Sequence, residues 1–179
     1  MKTVKVLDKG FGLYIPQQRI EEAIETVARR INTDMDGKNP LFLVVLNGAF
    51  MFASELFKRL TIECEISFVK LSSYSGTETT SVVRELIGLD HSLKGRNVVI
   101  VEDIVDTGHT MKYTIQKLKA LEAADVRVAT LFFKPKSFQY SYPIDYKAMD
   151  ISNEFIVGYG LDYNQHGRNF PDIYKIIED

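Results

Sequence analysis

Apolar residues along this chain fall into two rhythms. At the spacing of one helical face stand Ile20, Ala23, Ile24, Val27, Ala28 and Ile31, which predict a helix over 20–31. The same rhythm returns in Ala53, Leu56, Phe57 and Leu60 after an Asn47-Gly48 turn, and again in Met111, Thr114, Ile115, Leu118 and Leu121 after Thr110. Between these segments lie continuous apolar runs: LFLVVL at 41–46, VVIV at 98–101 and VRVATLFF at 126–133. Short unbroken runs of this kind suit strands buried on both faces. EISFVKLSSY at 65–74 alternates in part, RELIGL at 84–89 reads as a further strand, and FIVGYGLDY and DIYKII supply short strands near the end. The segment from Asp34 to Pro40 and the polar SGTETTSV at 75–82 read as loops, the second long enough to move. A Lys94-Gly95 turn precedes the VVIV run. Strand–helix–strand succession predicts an α/β fold around a largely parallel sheet. With no internal repeat and no low-complexity linker, one domain over 1–179 is expected.

Composition narrows the function classes. The chain has 179 residues, 45% hydrophobic and 26% charged, with a net charge of −2. The length suits one domain with a sizeable core. No basic block marks a nucleic-acid footprint, and the balanced charge gives no case for anionic membranes. MKTVKVLDKGFG lacks the apolar core of a signal peptide, and nowhere do about eighteen apolar residues run together. The single cysteine, Cys64, has no partner for an internal disulfide and no His or Cys at metal-ligand spacing, so it reads as a small buried hydrophobe. A cytoplasmic protein without nucleic-acid or membrane partners is expected.

The VVIV run leads straight into two acids, Glu102 and Asp103. Unpaired charge is too costly to bury in a core, so both are expected at the strand's end, in the open. Asp106, Thr107, Gly108, His109 and Thr110 then turn the chain into a helix. In open α/β sheets, ligands bind beyond the carboxyl ends of the strands. Three predicted strands deliver Asn47-Gly48, Glu102-Asp103 and Lys134 to that edge. In the 106–110 turn, glycine permits tight geometry, hydroxyls donate and the helix start presents free N–H groups, a natural phosphate cradle. It is not the nucleoside-triphosphate loop, because no GxxxxGK[ST] occurs. Taken alone, DTG is equally a helix cap, with Thr107 capping and Asp106 at the positive end. Two carboxylates just upstream favour a ligand that has both hydroxyls and phosphate, such as a ribose 5-phosphate.

VVIVEDIVDTGHT at 98–110 resembles the phosphoribosyl pyrophosphate signature of the type I phosphoribosyltransferases. VLNGAFMF at 45–52, KLSSYSG at 70–76, Lys134 after its strand and EFIVGYGLDYNQHGR at 154–168 extend the resemblance, in the family's order, to its 6-oxopurine members. It implies the type I phosphoribosyltransferase fold: a mostly parallel twisted sheet flanked by helices, with a small hood formed by terminal segments. It implies an enzyme of purine salvage that joins the phosphoribosyl group to N9 of hypoxanthine or guanine, and in some members xanthine.

The implied roles follow residue by residue. Glu102 and Asp103 hold the ribose hydroxyls, and Asp106 to Thr110 wrap the 5-phosphate mainly through backbone N–H groups. Asp106 also acts as general base at purine N7. Lys134, which by itself could simply snorkel to water, donates to the purine 6-oxo group and so disfavours adenine. Phe155, otherwise ordinary core, stacks on the purine, and Ile156 and Asp162 read its edge through their main chains. Asn47, Gly48, Ser73, Tyr74 and Arg168 contact pyrophosphate. Mg2+ is the implied cofactor, with Glu102, Asp103 and Asp162 as its candidate ligands. The loop after Tyr74 closes over the site, which keeps water from an oxocarbenium-like transition state. A homo-oligomer, dimer or tetramer, is expected.

Two departures from the family pattern stand out. Asn47 occupies a position that commonly holds Lys or Arg beside pyrophosphate, so weaker pyrophosphate binding is expected. His109 replaces a frequent Lys in the phosphate turn, which matters little where backbone groups dominate. The alternative function is a non-catalytic regulator that senses phosphoribosyl pyrophosphate. Such a protein should lack Lys134 and the 155–168 segment or carry a nucleic-acid domain. A phospho-receiver domain is disfavoured because its acid pair stands near the start of the fold, and this one lies past the middle.

Overall fold

The VVIV run is the middle of a nine-residue strand, and the molecule is arranged around it. The structure, a computed structural model, describes residues 2–74, 82–87 and 92–177; for 72–74 and 82–87 only the backbone is described. In chain order the elements are β1 (Thr3–Val6), β2 (Lys9–Ile15), α1 (Gln17–Asp34), β3 (Leu41–Leu46), α2 (Phe50–Phe57), β4 (Glu65–Tyr74) and β5 (Val82–Ile87). There follow β6 (Asn97–Val105), α3 (His109–Ala120), β7 (Asp125–Phe133), β8 (Tyr146–Asp150), β9 (Ile156–Val157) and β10 (Ile173–Ile176).

Six strands form one sheet in the order β5-β4-β3-β6-β7-β8, parallel throughout except for antiparallel β5. The three continuous apolar runs of the sequence are its centre. Val98 and Ile100 pack with Met111 and Leu118 of α3, and Val99 and Val101 pack with Ile24 and Ala28 of α1 and Phe52 and Leu56 of α2. Both faces of β6 are therefore covered, and each such side chain stabilises the fold by about 1.5–3 kcal/mol.

A second sheet, in the order β1-β2-β10-β9, is antiparallel and forms the hood expected from the terminal segments. Its own core is Val6, Phe11, Val157 and Tyr174. Asp172 fastens it to the main sheet's first helix. Pro16 offers α1 no side-chain cap, and Asp172 Oδ1 accepts the Gln17 amide at 2.9 Å instead. Lys2 Nζ, at 2.6 Å from Asp172 Oδ2, is the main cause that holds this carboxyl below its usual range.

Some elements differ from the sequence expectation. β1, β2 and β8 were not anticipated, because TVKV is short, KGFGLYI carries two glycines and YKAMD lacks β-branched residues. α2 ends at Phe57, so Leu60 lies beyond it, although its side chain still packs on the core. β5 begins two residues before RELIGL, and 88–89 fall outside the described residues. Among the described residues, no helix is long and apolar enough to cross a membrane.

Candidate active site

The acid pair lies inside β6, not beyond its end, which corrects the expectation of an open strand tip. β3 accompanies β6 only from Leu41↔Val98 to Val44↔Val101, whereas β7 continues beside it to Val105↔Phe133. Glu102 and Asp103 therefore stand in a strand that has lost one neighbour, and both are half-buried. Among the described residues, Glu102 Oε2 is shut off from solvent and has no hydrogen-bond partner. Burial first, and the adjacent Asp103 second, hold the Glu102 carboxyl well above its usual range. Burial also pushes Asp103 up to about 6, against the Ile104 amide, which donates to its Oδ1 at 2.8 Å, and the charge of Arg168. The cost of burying charge is real here and is met by favouring protons.

Next along the chain, β6 gives way to the 106–110 turn. Gly108 has φ 88 and stands at the N-cap of α3, where no side chain among the described residues caps the helix. Thr107 is thus not the cap that a lone DTG allows. The first-turn amides, which lack acceptors within any helix, remain available. They border a cavity of about 130 Å3 lined by Glu102 and the chain from Ile104 to Met111.

Two larger cavities adjoin it. One, of about 260 Å3, is lined by Asn47, Gly48, Glu102, Asp103, Thr110, Asp162 and Arg168, with Leu71 on one wall. The other, of about 270 Å3, is lined by Asp103, Ile104, Asp106, Lys134, Phe155, Ile156, Leu161 and Asp162. Glu102 and Thr110 border the first pair of cavities, and Asp103 and Asp162 the second pair. Asp106 joins the smallest to the last.

Close approach between segments explains the glycine after Asn47. A Cβ on Gly48 would lie 1.5 Å from Asp103 Oδ2, so only glycine lets the acid occupy this position. The preceding Leu46–Asn47 peptide is cis. From the hood side, Arg168 donates to the Gly160 carbonyl at 2.7 Å and pairs with Asp162 Oδ1 at 2.8 Å. Lys134 is 8% exposed and its Nζ lies 3.0 Å from Asp106 Oδ2, so it does not reach for water. Phe155, at 46% exposed, is not plain core; it stands edge-on to Tyr163 at the rim of the Lys134 cavity.

Most of the lining is legible in the sequence. The structure brings together Asn47, Gly48, Glu102, Asp103, Asp106 to Thr110, Lys134, Phe155, Ile156, Asp162 and Arg168. Only the backbone is described for Ser73 and Tyr74, and the 75–81 part of the expected closing loop lies outside the described residues. Leu71, Ile104 and Leu161 were missed because apolar lining carries no signal of its own. Also missed was the aromatic segment FQYSY at 138–142, whose dense rings just after Lys134 were a usable cue.

Residues 14–164 match the phosphoribosyl transferase domain, and the chain belongs to that family. Among its relatives, the hypoxanthine-guanine phosphoribosyltransferase of Streptococcus agalactiae is 43% identical over 151 residues, 84% of either chain. The crystal structure of a hypoxanthine-guanine phosphoribosyltransferase from Bacillus anthracis superimposes with a TM-score of 0.87 at 32% identity, covering 93% of this chain and 98% of that one. The Trypanosoma cruzi hypoxanthine phosphoribosyltransferase, solved as a ternary substrates complex, gives 0.85 at 33% identity over 92% of this chain and 94% of that one. The type I phosphoribosyltransferase fold expected from the sequence is the fold observed.

Proposed function

We propose that the protein is a purine-salvage enzyme. It transfers the 5-phosphoribosyl group from phosphoribosyl pyrophosphate to N9 of hypoxanthine or guanine, giving the nucleoside monophosphate and pyrophosphate. The observation that carries this reading is the meeting of three cavities on one acidic strand. One is bordered by helix-start amides, one by Arg168 and the Asn47-Gly48 turn, and one by Lys134 and Phe155. They suit a 5-phosphate, a pyrophosphate and a flat 6-oxopurine around a central ribose. Nothing in the site supports the sensing-regulator alternative.

In this reading Glu102 and Asp103 accept from the ribose hydroxyls. Asp106 takes the N7 proton while Lys134 donates to O6, so the purine's edge replaces the ion pair between these two side chains. Phe155 covers one face of the base, Ile156 and Asp162 meet its edge through main-chain groups, and Arg168 with Asn47, Gly48, Ser73 and Tyr74 faces pyrophosphate. The loop after Tyr74 excludes water during transfer.

Mg2+ fits the donor set. A hard cation that keeps several waters binds through one or two carboxylates plus substrate oxygens. Glu102 has an orphaned carboxylate oxygen, and Asp103 and Asp162 border the same cavity. Among the described residues no trio of metal-ligating side chains converges, so substrate oxygens would complete the shell. The ion would neutralise charge on the departing pyrophosphate. The domain extends over 1–179, the protein works in the cytoplasm, and the assembly is a dimer or tetramer.

A direct assay tests the function. Protein, Mg2+ and phosphoribosyl pyrophosphate are mixed with each of four bases, and nucleotide is detected by chromatography. Product is expected with hypoxanthine and guanine, a lower and variable yield with xanthine, and none with adenine. Product with adenine alone, or with no base, rejects the reading.

A further inference from the structure

We propose that the aromatic segment 138–142 is a buttress that aims the phosphate turn, with Tyr142 as its main positioning residue. The proposal rests on the phosphoribosyl-transfer reading and adds residues that do not touch substrate.

Three consecutive residues of the turn are each held by this segment. The Thr107 carbonyl accepts the Gln139 amide at 3.1 Å. The Gly108 carbonyl accepts the Tyr142 hydroxyl at 2.7 Å, in addition to the Lys112 amide that begins the helix. His109 Nδ1 is hydrogen-bonded to the Tyr140 hydroxyl. The rings also press on the turn, since a Cβ at Gly108 would come within 2.5 Å of the Tyr142 oxygen and 2.6 Å of the Phe138 ring.

Peptide geometry turns these contacts into a function. In a planar trans peptide the N–H points opposite to the C=O. Holding the Thr107 and Gly108 carbonyls against the 138–142 segment therefore directs the Gly108 and His109 amides away from it. Both residues line the small cavity assigned to phosphate. A backbone phosphate site depends on amide direction, and here that direction is set by carbonyl acceptance on the reverse side. The segment is itself anchored: Phe138 packs edge-on to Phe133 of β7 at 5.1 Å and to Tyr142 at 5.0 Å. Tyr140 stacks on Tyr142, and Lys112 Nζ sits 4.7 Å from the Tyr140 ring centre.

Tyr142→Phe keeps the ring and removes only the hydroxyl. Its KM for phosphoribosyl pyrophosphate should rise about fivefold, the equivalent of one ordinary hydrogen bond, with kcat and the KM for hypoxanthine within about twofold of the parent. Calorimetric titration with ribose 5-phosphate should show the same loss without any chemistry. Tyr140→Phe, which frees His109, should raise the same KM by about twofold and leave the others unchanged. A purely structural role predicts a lower Tm with an unchanged KM and unchanged ribose 5-phosphate affinity in Tyr142→Phe, and that result overturns the proposal. The two readings fail separately. If the parent protein makes no nucleotide, the functional assignment is lost; if the parent makes it and Tyr142→Phe binds ribose 5-phosphate equally well, the buttress is lost.

Discussion

In the proposed reading, the two halves of the site are made of different material. The half assigned to phosphate is main chain: the turn after β6, a glycine at φ 88 and the first amides of α3. The half assigned to purine is side chain: Lys134 just after β7, Phe155 before β9 and Asp106 from the turn after β6. Main-chain groups are the same whatever residue carries them, so the phosphate half can accept His109 in place of a cation. The purine half has no such redundancy. Its chemistry is concentrated in an ammonium and a carboxylate 3.0 Å apart, and because Lys134 is buried, losing Asp106 leaves that ammonium unmatched. Substitutions should therefore cost far more on the purine side.

Asp106→Asn offers the sharpest test of that contrast. It keeps the shape of the turn and removes the proton acceptor. Turnover should fall about a hundredfold or more, with the KM for phosphoribosyl pyrophosphate changed only a few fold. Equal losses in both would mean that Asp106 serves the phosphate half and that the division drawn here is wrong. Lys134→Gln comes next, with kcat/KM for hypoxanthine expected to drop about fiftyfold, the scale of a charge-assisted hydrogen bond. Unlike lysine, the glutamine amide can also accept from an exocyclic amino group, so discrimination against adenine should weaken in the same variant. Competition assays with both bases would read the two effects together.

How much of this was legible follows the same line. Runs such as LFLVVL and VRVATLFF announce strands because burial on both faces leaves no polar positions to confuse the pattern. Asp106 to Thr110 was readable because a turn into a helix has local requirements. What escaped depends on distant partners. The half-burial of Glu102 and Asp103 arises because β3 leaves β6 after the Val44↔Val101 pair, which no local window contains. The Lys134–Asp106 pair spans 28 residues and exists through the register Val105↔Phe133. The hood core joins Val6 and Phe11 to Val157 and Tyr174, far apart in sequence, and neither the short TVKV nor KGFGLYI with its two glycines announces a strand alone.

Between the halves lie the two acids, and their cost can be measured. Burial pushes the Asp103 carboxyl up to about 6 in the fold against 3.8 for an ordinary aspartate, and pushes Glu102 in the same direction. A raised carboxyl favours the protonated protein, so this share of stability is complete below pH 3.8 and is lost as pH rises through about 6. In chelator at pH 7.5, Asp103→Asn should therefore be more stable than the parent by about 2–3 kcal/mol, and thermal melts should show the gain fading toward pH 4. Activity should fall in the same variant, because an amide is a poorer acceptor for a ribose hydroxyl. A gain of equal size at pH 4 and 7.5 would separate it from ionisation and remove the electrostatic explanation.

The smallest effect in this comparison concerns the cavity proposed for pyrophosphate, where the two kinds of construction meet. Gly48 supplies backbone that approaches Asp103 closely, while the neighbouring Asn47 brings no charge. If main-chain contacts dominate there as in the phosphate turn, adding a cation should help only modestly. Asn47→Lys is expected to tighten pyrophosphate binding about fivefold by calorimetry, the scale of one partly exposed charge pair. Because that pair lies at an open cavity, the gain should shrink as salt is raised from about 0.05 to 0.5 M, where the screening length falls well below 10 Å. Tighter product binding should also slow release, so kcat would fall if release limits turnover and hold if chemistry does. A gain of about a hundredfold that survives high salt would show that this cavity, unlike the phosphate turn, is governed by a side chain.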